Sequence, residues 1–187
     1  TYFFLSYNSE DTERISHLAK ILAHNEVALW YDDAIEYGEK WEVNISEKIQ
    51  NAQAVILFFT KGILYKQNSY VYKEYKMATE YFNKKVYIVM MDNIKSSEVP
   101  YDKVPWWIDI QEKQCIDISN KTSIAEQSAE ILKALGLSSH EEKMSWLIKK
   151  YNELYINGKE SEAETFLSEY LKGQTLAGKA KCIANLA

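Results

Sequence analysis

The fold is decided by the stretch Ala54–Phe59, which has the sequence AVILFF. Six apolar residues in a row are typical of a strand that is buried on both faces of a parallel sheet. A polar loop over residues 60–68 and then a helical pattern follow it directly. A strand of this kind followed by a helix predicts the centre of an α/β domain, with helices covering both faces of the sheet.

Four further strand-like segments alternate with helical patterns on either side of this stretch. They are Tyr2–Tyr7, Val27–Tyr31, Val86–Met91 and Cys115–Ile118. The last helix is predicted over Thr122–Leu135, and Gly136 can end it. Because crossovers between parallel strands are right-handed, five such strands most simply give a flavodoxin-like sheet of order 2-1-3-4-5. Ligands of such sheets bind at the carboxyl ends of the strands where the winding reverses, here between strands 1 and 3.

Composition limits the class of protein. The 187 residues are 47% hydrophobic and 26% charged, which suits one ordinary domain plus an appendage. The net charge of −5 argues against nucleic acid as the main partner, because phosphate binding needs a basic face. No apolar run approaches the ~20 residues that span a bilayer, so neither a membrane partner nor a membrane segment is expected. Cys115 and Cys182 lack a CxxC spacing, which predicts reduced thiols in a cytoplasmic protein.

The chain changes character near residue 137, after which only amphipathic helical patterns follow. Two of these helices are marked by Trp146 and Phe166, and a third is predicted from about Leu176 to Leu186. We therefore expect an α/β domain over residues 1–136 and a helical extension over residues 137–187. Ala187 has no helix-stop signal beside it, so the sequence is consistent with a piece of a longer chain.

Glu74 is the first candidate for a catalytic residue, because it lies among aromatic side chains in the helix predicted after Ala54–Phe59. The apolar stripe of that helix consists of Val71, Tyr75, Ala78 and Phe82. A rotation of about 100° per residue places Glu74 about 60° from the centre of the stripe, at the edge of the buried face. Three long side chains share its flank, namely Tyr70, Met77 and Tyr81.

Glu74 has two interpretations. A carboxylate that loses hydration among tyrosines can serve as a poised acid or as a charge that holds a polar ligand. The helix follows strand 3, so Glu74 falls near the crevice expected between strands 1 and 3. In the alternative interpretation, Glu74 is a solvated residue on the rim and pairs with Lys73 or another lysine.

Several common chemistries are excluded by the motifs that the sequence lacks. Neither GxGxxG after the first strand nor GxxxxGK[ST] occurs, which argues against a standard dinucleotide fold and a P-loop. The three histidines have no ligand spacing, so no metal site is predicted. A response regulator needs acids after strands 1 and 3, where this chain has the residues Ser6–Asn8 and Phe58–Thr60.

The segment Tyr2–Tyr7, followed by a polar turn and a helix, resembles the first conserved box of the TIR (Toll/interleukin-1 receptor) family. The resemblance continues through Trp30–Asp33, the loop around Gly38 and the segment from Ile45 to Thr60. It ends near Leu135 and so covers roughly three quarters of the chain. The resemblance implies the five-stranded flavodoxin-like fold already predicted from the strand pattern.

The resemblance also implies a site. The prokaryotic NAD+-cleaving branch has a glutamate in the helix after strand 3, in a pattern like aromatic-x-x-Lys-Glu, and Tyr70–Glu74 is similar to that pattern. By this resemblance Glu74 would hydrogen-bond the hydroxyls of the nicotinamide-side ribose, and Tyr70 would wall the pocket. Tyr7 and Trp41 resemble ring-stacking positions, although either could instead belong to the core. Asn8 stands where some members have an arginine.

The loop around Gly38 is implicated in substrate binding and assembly by the same resemblance. Glu36 and Asp33 in this loop would bind the adenosine ribose or a neighbouring protomer, or would simply be solvated. The implied function is an NAD+ glycohydrolase in bacterial antiphage defence, active on assembly into a homo-oligomer or filament, with a cyclic ADP-ribose isomer as an alternative product. NAD+ would be its substrate, and no cofactor is expected. The rival is a non-enzymatic scaffold that acts through TIR–TIR contacts, although the Pro-Gly usual in adaptors is Tyr37-Gly38 here.

Overall fold

The computed structural model describes residues 1–31, 39–66 and 69–172. The chain divides into two compact units, Thr1–Leu137 and a second unit that begins at Ser138. Within the described residues, no helix combines the length and the apolar character needed to cross a membrane.

The first unit contains a five-stranded parallel sheet. Its strands are β1 (Phe3–Ser6), β2 (Leu29–Trp30), β3 (Ala54–Phe59), β4 (Val86–Met90) and β5 (Cys115–Asp117). The predicted order 2-1-3-4-5 is confirmed, and every residue of β3 is buried. Ser6 pairs in register with Leu57, so β3 continues two residues past the end of β1. The step at the end of β1 lies where the winding of the sheet reverses, which is where ligands of this fold bind.

Among the described residues, six helices belong to the first unit and two to the second. They are α1 (Thr12–His24), α2 (Glu39–Asn51), α3 (Lys61–Leu64), α4 (Tyr70–Lys76), α5 (Trp107–Gln111), α6 (Ile124–Ala134), α7 (His140–Ile156) and α8 (Glu160–Lys172). Short 3₁₀ turns span Ser9–Asp11 and Ser96–Glu98. The third helix predicted for the extension lies outside the described residues.

The two faces of the sheet are covered by different helices, and the alternation along β1 shows how. Phe3 and Leu5 pack with residues of α1 and α6 on one face. Phe4 packs with residues of α2 on the other face and stacks on Trp30 at a centroid distance of 5.1 Å. Successive side chains of a strand point to opposite faces, so Ser6 follows Phe4 towards the α2 and α4 side. Burial of each such large apolar side chain contributes about 1.5–3 kcal/mol, which strongly favours this register over a shifted one.

The acidic turn before α1 is tied to the residue that follows β3. Ser9–Asp11 forms a 3₁₀ turn, and α1 begins at Thr12 with no side-chain cap from Asp11. Asp11 instead accepts a hydrogen bond from the Thr60 hydroxyl at 2.7 Å. This bond ties the turn after β1 to the residue after β3, across the step in the sheet.

The helix α4 changes its pitch after about two turns. Met77–Tyr81 is π-helical, and the Phe82 amide donates to the Met77 carbonyl, five residues earlier, at 3.0 Å. The wider turn invalidates the 100° spacing beyond Met77. The prediction that Tyr81 flanks Glu74 is therefore wrong, since Tyr81 is 75% exposed.

The described part of the second unit contains a helical hairpin with a small core. Met144 and Leu147 of α7 are buried against Phe166, Leu167 and Tyr170 of α8. Ser139 begins α7 with a capping box, in which its hydroxyl accepts from the Glu142 amide. Gly158, at φ 70°, allows the turn between the two helices.

Candidate functional site

Glu74 is a buried carboxylate on α4. It is 8% exposed, whereas Lys73 beside it is exposed. Val71, Tyr75 and Ala78 form the buried stripe of the helix, as the apolar periodicity predicts. A solvated position on the rim is thus excluded for Glu74, which lies within the buried face.

Ser6 holds this carboxylate at the end of β1. Its side chain is fully buried, and its hydroxyl donates to Oε2 of Glu74 at 2.5 Å. A hydroxyl–carboxylate bond of this length is charge-assisted and stronger than a bond between neutral groups. The contact joins residues 68 positions apart and fixes the carboxylate at the reversal point of the sheet.

The Ser6 contact has an electrostatic consequence. A buried carboxylate is costly unless hydrogen bonds replace its lost hydration. The Ser6 hydroxyl supplies one such bond and carries no positive charge of its own. This arrangement can stabilise a positive charge that develops on a ligand at the same place.

Ser6 was missed as a site residue by the sequence reasoning. The available signal was a polar residue at the end of an apolar strand, on the same face as Phe4. Because that face carries the helix of Glu74, the alternation along β1 could have paired the two residues.

Asn8 lies two residues beyond Ser6 and is also buried, with 4% exposure. Its Oδ1 accepts a hydrogen bond from Nζ of Lys66 at 2.8 Å. The same ammonium lies 3.2 Å from Oε1 of Glu10. Lys66 belongs to the loop after β3, so these contacts form a second tie across the step between β1 and β3.

The two tyrosines predicted for the site are placed differently from Glu74. Tyr7 is partly buried and packs against the core that lies between the sheet and α1 and α6. It is therefore turned to the face opposite Ser6. Tyr70 lies one turn before Glu74 on α4, is 44% exposed, and carries the Lys73 ammonium 5.2 Å from its ring centroid.

The remaining predicted site residues cannot be positioned relative to Glu74. Asp33, Glu36 and Gly38 lie outside the described residues. The backbone of Trp41 belongs to α2, but its side chain likewise falls outside the described part of the chain.

A second carboxylate at the same edge of the sheet is held by cations and backbone. Asp92, just after β4, pairs its Oδ1 with Nη1 of Arg14 at 2.8 Å and accepts from the Lys61 amide at 2.9 Å. Nη2 of Arg14 also donates to the Met91 carbonyl at 2.7 Å. These bonds connect α1, the end of β3 and the end of β4, and give Asp92 a structural task.

Two depressions among the described residues are lined by other side chains than Glu74. A groove of about 720 Å³ lies at the amino ends of β4 and β5 and includes Lys85 and Lys113. A pocket of about 220 Å³ lies near the carboxyl end of β3 and includes Lys66, Tyr72 and Trp106. Ligands of open α/β sheets bind at the carboxyl ends, so the larger groove lies at the opposite end from the expected site. Among the described residues, no three His, Cys, Asp or Glu side chains are grouped to hold a metal ion.

Comparison with known proteins identifies a family. The model of the TIR domain family matches residues 3–133, which span all five strands and most of α6. Among solved structures, the TIR domains of the activated Roq1 resistosome, which directly recognises the pathogen effector XopQ, match with a TM-score of 0.56. The identity is 17%, and the match covers 72% of this chain and 99% of that one.

A second solved structure is the heterodimer of the RPS4 and RRS1 TIR domains. It matches with a TM-score of 0.50 and 13% identity, over 72% of this chain and 94% of that one. Identities this low establish the shared fold alone. No curated protein gives a significant match.

Proposed function

This chain belongs to the TIR domain family, and from that premise we propose that it is an NAD+ glycohydrolase. The reaction cleaves the bond between nicotinamide and ribose and yields nicotinamide and ADP-ribose. The observation that carries the proposal is the buried Glu74 carboxylate, which the Ser6 hydroxyl holds at 2.5 Å at the reversal point of the sheet.

The chemistry suits a fixed anion. Nicotinamide in NAD+ carries a positive charge, so it departs with the electron pair of the C–N bond as a neutral molecule and needs no general acid. The ribose is left with oxocarbenium character. The Glu74 carboxylate stabilises this positive charge and hydrogen-bonds the ribose hydroxyls. Water then adds to the anomeric carbon and releases a proton; attack by an adenine nitrogen instead gives a cyclic ADP-ribose isomer.

The other predicted site residues take supporting roles in this proposal. Trp41 stacks on a ring of the dinucleotide, and Tyr70 forms the outer wall of the pocket beside Glu74. Asn8 contacts the substrate, and Glu36 binds the adenosine ribose. The packing of Tyr7 on the α1 side favours its alternative role, which is to close the core at the end of β1.

We further propose that activity requires contact with other TIR protomers, through the loop that contains Asp33 and Gly38. Support comes from relatives of the same fold that have been seen in assemblies, namely the Roq1 resistosome and the RPS4–RRS1 heterodimer. A role in bacterial antiphage defence, by depletion of cytoplasmic NAD+, agrees with the resemblance to the prokaryotic branch. The same heterodimer also supports the second candidate, a non-enzymatic scaffold that acts through TIR–TIR contacts.

The two candidates are separated by the products formed from NAD+. The wild type, at high protein concentration and in forced assemblies, is expected to release nicotinamide in chromatography, and Glu74→Ala is expected to abolish release while retaining the fold. A matched control is Glu80→Ala, which removes an exposed glutamate that pairs with Lys76 at 3.4 Å on the next turn of the same helical segment. Release that persists in Glu74→Ala would reject the assigned site. Lack of turnover in every wild-type assembly would favour the scaffold.

A further inference from the structure

The groove of about 720 Å³ at the amino ends of β4 and β5 has a net positive lining, opposite in sign to the protein as a whole. Two of the residues that line it are acids, Asp117 and Glu130, but four are lysines, namely Lys84, Lys85, Lys113 and Lys133. The entire chain has a net charge of −5. A volume of this size is typical of sites that bind small molecules, and we call this surface the basic groove.

The four lysines reach the basic groove from three separate segments. Lys84 and Lys85 directly precede β4, Lys113 lies two residues before β5, and Lys133 belongs to the last turn of α6. Because β4 and β5 are neighbours in the sheet, their starts lie side by side. Like charges that the fold brings to one groove repel each other, and an anion bound between them would relieve that repulsion.

The positive charges of the basic groove are not offset by ion pairs. Elsewhere in the first unit, Lys61 and Lys76 pair with glutamates at 3.3 and 3.4 Å. Among the residues that the structure describes, no ion pair involves any of the four groove lysines. Asp117 does not pair with them either, since its Oδ1 accepts from the backbone amide and the hydroxyl of Ser119 at 2.9 and 2.7 Å.

Two of the ammonium groups are held by neutral partners. Nζ of Lys84 donates to the Ala52 carbonyl at 2.8 Å. Nζ of Lys85 lies 4.4 Å from the centroid of the Tyr87 ring, within the range of a cation–π contact. These contacts restrict both side chains without pairing either with an anion. Side chains that are already ordered lose less entropy when a ligand binds, so the two lysines are suited to bind an anion.

We propose that the basic groove binds a small phosphorylated molecule of the nucleoside diphosphate class, whose diphosphate is held by Lys85, Lys113 and Lys133. Lysine binds phosphate as a point charge. Val86 and Ile116 also line the groove and offer apolar contact to the organic part of the ligand. The groove lies at the opposite end of the sheet from Glu74, so this inference goes beyond the proposed function and does not depend on it.

Calorimetry with three probes tests the chemistry of the ligand. We expect ADP to bind the wild type with a Kd of about 0.1 mM or lower, and pyrophosphate to bind more weakly because it lacks the organic part. Adenosine, which lacks phosphate, should not bind. The affinity for ADP should fall as salt is added. Absence of binding by both ADP and pyrophosphate, or equal binding of ADP and adenosine, would overturn the inference.

Single charge removals test the lysines. Lys113→Gln and Lys85→Gln should each raise the Kd for ADP about ten-fold, as for the loss of a hydrogen bond between charged groups. Lys113→Arg, which keeps the charge, should restore most of the affinity. The matched control is Lys20→Gln, which removes an exposed lysine of α1 outside the groove. An equal rise in Kd for Lys20→Gln would mean that only the overall charge matters, and would overturn the inference.

The position of the bound probe separates this inference from the proposed function. In a ¹⁵N–¹H spectrum, ADP should shift the backbone amide signals of Lys85, Lys113 and Cys115. Shifts confined to Ser6 and Glu74, at the other end of the sheet, would overturn the inference and leave the proposed NAD+ site standing.

Sedimentation tests whether the basic groove instead receives an acidic segment of a second copy. We expect Lys113→Gln to leave the oligomeric state of the protein unchanged. A lower oligomeric state in Lys113→Gln, together with unmoved groove signals in the presence of ADP, would assign the groove to contacts between copies and overturn the inference.

Discussion

Two carboxylates at the carboxyl edge of the sheet are held in opposite ways. Glu74 is buried and takes its hydrogen bond from a neutral hydroxyl, that of Ser6. Asp92 has a side chain that is 27% exposed and pairs with the guanidinium of Arg14. The Ser6 hydroxyl adds no positive charge beside the first acid, whereas the guanidinium of Arg14 offsets the charge of the second.

Under the proposed function, the difference separates a structural acid from a catalytic one. Asp92 connects three segments of backbone, and an exposed ion pair of this kind contributes only about 0–1 kcal/mol. Glu74 is costly to bury, and its contact with Ser6 fixes its position without neutralising it. We therefore base the two proposed roles on the surroundings of each carboxylate, since residue type and distance from the sheet do not distinguish them.

Replacing each acid by its amide removes the charge and should distinguish the roles of Glu74 and Asp92 most clearly. Glu74→Gln is expected to lower nicotinamide release by about 10²-fold or more, as for other groups that stabilise transition-state charge. Asp92→Asn, the matched variant, should keep release within a few-fold of the wild type. Initial rates by chromatography measure both, and circular dichroism checks the fold. An equal loss of nicotinamide release in Glu74→Gln and Asp92→Asn would contradict the proposed difference between the two acids.

Ser6→Ala tests whether the Ser6 hydroxyl holds the buried Glu74 carboxylate in position. Loss of one hydrogen bond to a charged group costs about 1.5–3 kcal/mol, so kcat is expected to fall about ten-fold or more. The control is Ser128→Ala, because Ser128 is also buried and donates to a helix carbonyl, that of Ala125, at 2.9 Å. Ser128→Ala should lower stability while leaving kcat unchanged. A wild-type kcat in Ser6→Ala would mean that Glu74 needs no anchor.

The ion pair between Arg14 and Asp92 should affect the stability of the protein but not nicotinamide release. Arg14→Met is expected to lower the free energy of unfolding by about 1 kcal/mol, since its partner is lost but the site is partly exposed. Urea unfolding measures the change, and the difference from the wild type should shrink as salt is added. A difference that salt leaves unaltered would mean that packing of the arginine stem dominates.

Substitution of Tyr75, the buried neighbour of Glu74 on α4, should change the free energy of unfolding least at neutral pH. Burial, reinforced by the charges of Asp109 and Glu80, raises the pKa of Tyr75 from 10.0 to about 12. The folded protein keeps this proton to higher pH than the unfolded chain does. The resulting stability is complete below pH 10 and is lost as the pH rises through about 12.

Tyr75→Phe should flatten this alkaline decline. Unfolding free energies measured from pH 8 to 12 should fall less steeply in the variant than in the wild type. Tyr101→Phe, at an exposed tyrosine, is the control. Parallel curves for the wild type and Tyr75→Phe would show that other groups cause the decline.

The sheet order could be predicted from the sequence because its strands are continuous apolar runs with helical patterns between them. Ala54–Phe59 is apolar throughout, and buried throughout in the structure. The placement of Glu74 at the edge of the buried face followed from the stripe of Val71, Tyr75 and Ala78, of which the first two lie in regular α-helix. Local periodicity is enough for such features.

Other features depend on contacts between distant residues, which local patterns do not contain. The π-helical turn at Met77–Tyr81 breaks the spacing that placed Tyr81 beside Glu74. The partners of Ser6 and Asn8 lie 68 and 58 positions away, so only the folded sheet brings them together. The sheet face to which Tyr7 points could have been predicted, because Tyr7 follows Ser6 directly and successive residues of a strand point to opposite faces.

The most direct measurement is a crystal structure of the Glu74→Gln variant with NAD+ bound and uncleaved. We expect the side-chain amide at position 74 to lie within about 3 Å of a hydroxyl of the nicotinamide-side ribose. The Ser6 hydroxyl should still contact the same side chain. NAD+ bound with that ribose well beyond hydrogen-bond reach of position 74 would contradict the account.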